Sequence, residues 1–302
     1  MRVLVEGEEE AGGAAVAEWL REDEIGADCA IVFDSAMADP RTPAITVGLR
    51  GMVMAQIRVR TGRRDLHSGV YGGSVLNAVH VLHGMLAAVL PGPDGVPRDE
   101  LRAGVAPPAP AELESWARLP PGNEVIAEVG GRPVSPDAGA RYYERNGADT
   151  SVEVNELVAG EPRTIVPATA RATVSVRLAP GQRVAEIEPV LQRLLRDAAP
   201  AGADVEIDTF SGDPALFDVG APALQLAAGA LERACGVPAV FVRSGGSIPI
   251  VGEFARKGIP TVVSGFALPD DDIHAPNESY RLESLRLGEA ASRELLRALA
   301  AL

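Results

Sequence analysis

The sequence predicts an α/β protein with a mostly parallel sheet, interrupted part-way by an inserted α+β module. Three observations carry that expectation. Short apolar runs alternate with helical stretches towards both ends of the chain, the pattern of a parallel sheet covered by helices. The middle of the chain gives strands in which apolar and polar residues partly alternate, as on a sheet with one solvated face. Between 91 and 139 runs a Pro-, Gly- and Ala-rich excursion without clear period.

Taken in order, Val3-Leu4-Val5 leads straight into Glu6-Gly7-Glu8-Glu9-Glu10 and reads as a buried strand that delivers carboxylates to a loop. Residues 14–21 look helical, and 29–33 form a second apolar run ending at Asp34. Open α/β sheets bind ligands at the carboxyl ends of their strands, which makes both acidic ends candidate positions. A strand at 52–60 and a helix at 74–90 precede the excursion, which holds one short helix near 111–118. Strands at 150–154 and 170–178, a helix at 184–198 and a strand at 204–210 follow. This β-α-β-β-α-β order resembles a ferredoxin-like module. After Pro214 the first pattern resumes, with helix 222–235, strand 239–242, helix 248–256, strand 261–264, an acidic loop and a last helix at 282–302. The expected domains are therefore 1–48 with 213–302, and 49–212 inserted between them.

At 302 residues the chain has room for two ordinary domains, and 46% apolar with 23% charged residues is a globular composition. Forty-two acidic against 28 basic side chains leave a net charge of −14, which argues against a nucleic-acid partner. The two cysteines, Cys29 and Cys235, cannot build a disulfide framework or a Cys-rich zinc module and read as small buried hydrophobes. No apolar run reaches the length of a membrane span, and the first residues lack the pattern of a signal peptide. A cytoplasmic protein without a membrane partner is the expectation.

Three adjacent glutamates at the end of a buried strand crowd like charges unless a cation or a proton intervenes. Glu9 and Glu10 suit a paired task, one as base toward a metal-bound water and one as ligand, although such a run by itself is more commonly a solvated loop. Asp34 alone reads equally as a turn or cap acid. Of the four histidines, His80 and His83 share a helix at i, i+3 spacing among apolar neighbours and are set aside as surface positions. His67 lies in a polar, Gly-rich loop between a strand and a helix. His274 follows Asp270-Asp271-Asp272-Ile273, where an imidazole among acids is a plausible zinc ligand and an acid can hold its second nitrogen.

Seven motifs in order make the pattern specific: Glu6-Gly-Glu-Glu-Glu-Ala-Gly-Gly13, Phe33-Asp-Ser35, Asp65-Leu-His-Ser-Gly-Val-Tyr-Gly-Gly73, Thr164-Ile-Val-Pro167, Val176-Arg-Leu-Ala-Pro180, Gly245-Gly-Ser-Ile-Pro249 and His274-Ala-Pro-Asn-Glu278. From residue 3 to the end the chain resembles the family-twenty metallopeptidases, which include carnosinase-like dipeptidases, glutamate carboxypeptidases, aminoacylases and acyl-amino-acid deacylases. The dipeptidase branch fits best, on Leu-His-Ser-Gly-Val-Tyr-Gly-Gly and Gly-Gly-Ser-Ile-Pro.

The resemblance implies a zinc-peptidase-like catalytic domain with an inserted lid and dimerisation domain. It implies that Glu9 is the general base, that Glu10 and His274 bind one zinc, and that Asp34 binds the other. His67 matches the lid imidazole that reaches the active site of a partner subunit and steadies the tetrahedral oxyanion. Thr164, Arg177, Gly245, Gly246 and Ser247 match substrate-holding groups, with the planar fork of Arg177 suited to a terminal carboxylate. The implied chemistry is hydrolysis of an amide bond in a dipeptide or similar small substrate by two zinc ions, for which cobalt or manganese can stand in, within a homodimer. N-acyl-amino-acid deacylation competes with this activity, since Arg177 would clamp either substrate.

The family pattern also has an N-terminal His-x-Asp-x-x-Pro segment and a bridging Asp before an Asp-Lys-Gly turn, and neither occurs here. A miscalled start, a split gene, a decayed fragment or a metal-free form with another role is therefore expected. An inactive dimerising fragment without a complete metal site is the non-enzymatic alternative.

Overall fold

The computed structural model describes residues 1–7, 14–246, 248–273 and 275–302. In chain order the elements are α1 (Ala14–Glu22), β1 (Ala30–Phe33), β2 (Ala44–Leu49), β3 (Gly51–Arg60), β4 (Leu66–His67), α2 (Ser68–Tyr71) and α3 (Ala78–Ala87). Then come α4 (Asp99–Arg102), α5 (Pro110–Trp116), α6 (Gly122–Glu128), α7 (Pro136–Ala140), β5 (Ser151–Ala159), β6 (Ile165–Val166), β7 (Thr169–Leu178) and α8 (Val184–Asp197). The last stretch holds β8 (Asp204–Gly212), β9 (Ala215–Leu216), α9 (Pro222–Cys235), β10 (Val240–Ser244), α10 (Pro249–Arg256), β11 (Thr261–Ser264) and α11 (Leu282–Leu299). They form two compact units, one of residues 1–50, 107–121 and 215–302, the other of 51–106 and 122–214.

The sheet of the first unit runs β1-β11-β2-β10, with β9 also on β2. β1 pairs with β11 in parallel and so does β10 with β2, whereas β11 and β9 meet β2 antiparallel. The sheet is therefore mixed, where the sequence suggested a mostly parallel one. The reason lies in the connections: a parallel neighbour needs a crossover of a dozen or so residues, usually helical. No helix lies between β1 and β2.

In α9, Ala223, Leu224, Ala227, Ala230 and Leu231 fall on one face and are buried, as the 3.6-residue period requires. Pro222 starts that helix, and Gly236, in the left-handed region, closes it with a bond from its N–H to the Glu232 carbonyl. Leu224 and Leu231 join Leu295 of α11, Ile45 of β2 and Val262 of β11 in one core.

α5 lies along the outer edge of β10. Ser115 Oγ accepts from the Phe241 N–H, Trp116 Nε1 donates to the Phe241 carbonyl at 3.1 Å, and Arg118 donates to the carbonyl of Ala239.

Val3-Leu4-Val5 is not the buried strand that its composition suggests. It is irregular, and Val3 and Val5 are 75% and 84% exposed. No strand of the described residues pairs with it, and an apolar tripeptide that finds neither ladder nor core stays solvated. Cys29 and Cys235 are half-buried, not buried, and burial raises both thiol pKa values.

The second unit is an antiparallel sheet in the order β5-β7-β3-β8, and its main elements run strand, helix, strand, strand, helix, strand. Along β3, Val53, Ala55, Ile57 and Val59 point into the core while the residues between them are more exposed, the period of two that the sequence announces. Leu82, Met85 and Leu86 of α3 and Ile187, Leu191 and Leu195 of α8 cover that face. Each such side chain, fully buried, contributes about 1.5–3 kcal/mol.

The excursion at 91–139 is more regular than expected, with four short helices, α4 to α7. Pro110 and Pro136 stand in the first turns of α5 and α7, where proline's missing N–H costs nothing, so these prolines start helices instead of breaking them.

Candidate active site

In the first unit Asp34 directly follows β1. Its carboxylate is exposed and makes no hydrogen bond or ion pair among the described residues. The chain around it is braced. Ser35 Oγ lies 3.0 Å from Thr46 Oγ1, Ala36 bridges to Ala267 in parallel, and the Met37 N–H donates to the Ala267 carbonyl at 3.0 Å. A Cβ on Gly265 would stand 1.7 Å from the Ser35 carbonyl oxygen, so only glycine lets the ends of β1 and β11 approach this closely.

Gly245 and Gly246 follow β10, and the Gly246 N–H donates to Ser244 Oγ at 3.2 Å. Ser244 meets Leu49 and Arg50 at the end of β2, whereas Ser264, beside Phe33, donates to Ala44 at its start. The register thus separates Asp34 from Gly245 along β2. Glu9, Glu10, Ser247 and His274 lie outside the described residues, and among those described no group of three potential metal ligands forms.

In the second unit the structure brings His67 and Thr164 together, which sequence reasoning missed. Leu66 and His67 form a short antiparallel ladder with Val166 and Ile165, and the Ser68 N–H donates to the Thr164 carbonyl at 3.0 Å. Asp65 Oδ1 accepts from the Ala168 N–H and fixes the ladder's entry. The two-residue strands Leu66-His67 and Ile165-Val166 are too short to show a period, so only their motif positions could have hinted at the contact.

His67 is exposed and caps α2, its Nδ1 accepting from the Gly69 N–H at 3.1 Å. A neutral imidazole that accepts at Nδ1 carries its proton on Nε2, which leaves an N–H donor directed away from the cap. A Cβ on Gly72 would meet the Ser68 carbonyl at 2.4 Å, so glycine is required for this turn to close.

Arg177 stands elsewhere on the same unit. It faces Met52 and Ser151 near the end of β7, half-buried, and its guanidinium makes no hydrogen bond or ion pair among the described residues. β7 begins at Thr169, just after β6, and Arg177 stands eight residue steps further along the strand, a span of roughly 26 Å. The unit therefore holds His67 and Thr164 towards one end of its sheet and Arg177 towards the other.

The family model described as peptidase family M20/M25/M40 matches residues 1–298. The chain belongs to that family. It is 27% identical to the cysteinylglycine-S-conjugate dipeptidase of Corynebacterium striatum, over 96% of this chain and 66% of that protein. It is 24% identical to the Cys-Gly metallodipeptidase dug1 of Schizosaccharomyces pombe, over 94% of this chain and 62% of that one. The fold matches an M20 family metallo-carboxypeptidase of Sulfolobus solfataricus with a TM-score of 0.83 at 20% identity, covering 98% of this chain and 70% of that one. The chain thus spans about two thirds of the length of the dipeptidases it matches. Its architecture is the α/β fold of M20 peptidases with mixed sheets.

Family membership implies a divalent metal. Asp34 suits one: an exposed carboxylate, without a partner among the described residues, at the carboxyl end of a strand, with oxygen donors that a divalent ion accepts.

Proposed function

We propose that this chain belongs to a metal-dependent dipeptidase that cleaves the amide bond of a dipeptide or similar small substrate with a free carboxylate. The observation that carries the reading is the pairing of His67 with Thr164 just before β7, together with the placement of Arg177 roughly 26 Å along β7 from its start. A dipeptide is far shorter than that. His67 and Thr164 of one chain and Arg177 of another serve one substrate if the enzyme is a homodimer, with the second unit as an inserted ferredoxin-like lid and dimerisation domain.

In this reading Glu10 and His274 would hold one metal ion and Asp34 a second. Bound there, the ions would supply polarisation of the scissile carbonyl and acidification of the attacking water. Glu9 takes the proton of that water and returns it to the leaving amine. The Nε2–H of His67 donates to the carbonyl oxygen as it gains negative charge. Thr164, Gly245, Gly246 and Ser247 orient the substrate, and the guanidinium fork of Arg177 pairs with its terminal carboxylate. Zinc is the proposed metal and the cytoplasm the proposed location; no helix among the described residues is long and apolar enough to cross a membrane.

The test is hydrolysis of Cys-Gly and β-Ala-His by the chain supplied with zinc, alone and joined to the upstream coding sequence, against Glu9→Gln. Activity that falls by a factor of 10²–10⁴ in the variant supports the base. Unchanged turnover rules it out. Cleavage of N-acetyl amino acids in preference to dipeptides would move the substrate assignment to deacylation.

A further inference from the structure

Three consecutive acids precede His274, and the structure separates them. Asp270 is exposed and ion-paired with Arg281. Asp272 is exposed and stands in the left-handed region at φ 53°. Asp271 alone is buried, at 1% exposure.

Asp271 ties the chain on both sides of itself. Its Oδ2 accepts from the Leu268 N–H at 2.8 Å, and its carbonyl accepts from the Ser279 N–H at 2.9 Å. The Ala275 N–H donates to the Asp272 carbonyl and the Glu278 N–H to the Ala275 carbonyl. Asp272 and Asn277, the two non-glycine residues at positive φ among those described, flank His274 in sequence.

One atom is left over. Asp271 Oδ1 is buried and has no hydrogen-bond partner among the described residues. A buried carboxylate oxygen without a donor bears the desolvation of its charge with nothing in return. Arg281, the nearest arginine in sequence, is engaged by Asp270.

We infer that Asp271 is the positioning residue for His274: its backbone carbonyl ties to Ser279, its Oδ2 fixes the side chain against the Leu268 N–H, and its Oδ1 receives the free imidazole N–H when the other nitrogen of His274 binds the metal. The inference rests on the proposed role of His274 as a ligand. Carboxylates that accept from a ligand imidazole fix its orientation and make it a better donor, and losing one typically weakens metal binding by 10–100-fold.

The experiment measures zinc affinity of the full chain by competition with a chromophoric chelator, and the melting of the metal-free protein, for wild type, Asp271→Asn, Asp270→Asn and His274→Ala. Asparagine keeps an oxygen for the Leu268 N–H but presents an amide N–H₂ in place of Oδ1. Asp271→Asn is expected to melt near wild type without metal and to bind zinc 10–100-fold more weakly, with Asp270→Asn unchanged. If Asp271→Asn melts far below wild type, Asp271→Glu, which restores both carboxylate oxygens, is expected to recover zinc affinity in part, and no recovery overturns the inference. Equal zinc affinity in Asp271→Asn and wild type, with His274→Ala weakened, overturns the inference alone. Wild type and His274→Ala binding zinc equally, or not at all, overturns the ligand role of His274 and the inference with it.

Discussion

Glu112 of α5 and Arg243 of β10 form a two-pronged ion pair in the interior, Nε to Oε1 at 2.6 Å and Nη2 to Oε2 at 3.0 Å, with side chains 3% and 1% exposed. Glu112 also accepts from the Ala109 N–H at the start of α5. Removing one member of such a pair leaves the other charge buried without its partner. Glu112→Ala is therefore expected to lower unfolding stability by about 3–5 kcal/mol, whereas replacing both by apolar residues of similar volume costs much less. Urea unfolding of the two single variants and the double variant checks this.

Arg2 holds the Asp23 carboxyl down to about 2, from an ordinary 3.8, chiefly through the hydrogen bonds of its guanidinium. A carboxylate with a depressed folded pKa stabilises the fold above its unfolded pKa and ceases to do so as pH falls through the folded one. The melting difference between wild type and Asp23→Asn should thus be constant above pH 4, shrink between about 4 and about 2, and vanish below. A difference that persists below that window would contradict the assignment.

Gly265→Ala places a methyl group against the Ser35 carbonyl, immediately beside Asp34. Backbone cannot yield as a flexible side chain would. The expected loss is about 1–3 kcal/mol of stability and, on the proposed role of Asp34 as a ligand, a reduced zinc affinity. Denaturant unfolding and zinc titration on one preparation read both effects.

His67 is exposed, so its replacement should leave the fold largely intact. His67→Asn keeps an acceptor for the Gly69 N–H and removes the Nε2 donor. On the proposed mechanism kcat/KM of the active dimer falls by about 10²–10³ while the melting temperature hardly moves. Mixing inactive His67→Asn with inactive Arg177→Ala tests the shared site: exchange of subunits restores part of the activity if the two residues act from different chains.

Much of this was legible in the residues themselves. β11 spans 261–264 and α9 spans 222–235 as their periodicity predicts, because each is an apolar run or face bounded by Pro or Gly. The strand-helix order of the second unit was equally plain. Other features depend on neighbours the sequence does not name. Val3-Leu4-Val5 has the composition of a strand, yet a strand exists only where another strand pairs with it. The ladder that joins His67 to Thr164 is too short to carry a period. Asp270, Asp271 and Asp272 are indistinguishable as letters, and burial alone tells them apart.

The contacts of α5 with β10 also decide how this sheet can grow. Outward-facing groups at Ala239 and Phe241, which would otherwise invite another strand, are engaged by the side chains of Ser115, Trp116 and Arg118. A helix thereby stands in for a terminal strand without offering an edge of its own. On the opposite flank β1 pairs with β11 on one side only, among the described residues. A further strand can pair with β10 at Ala239 and Phe241 only by first displacing α5.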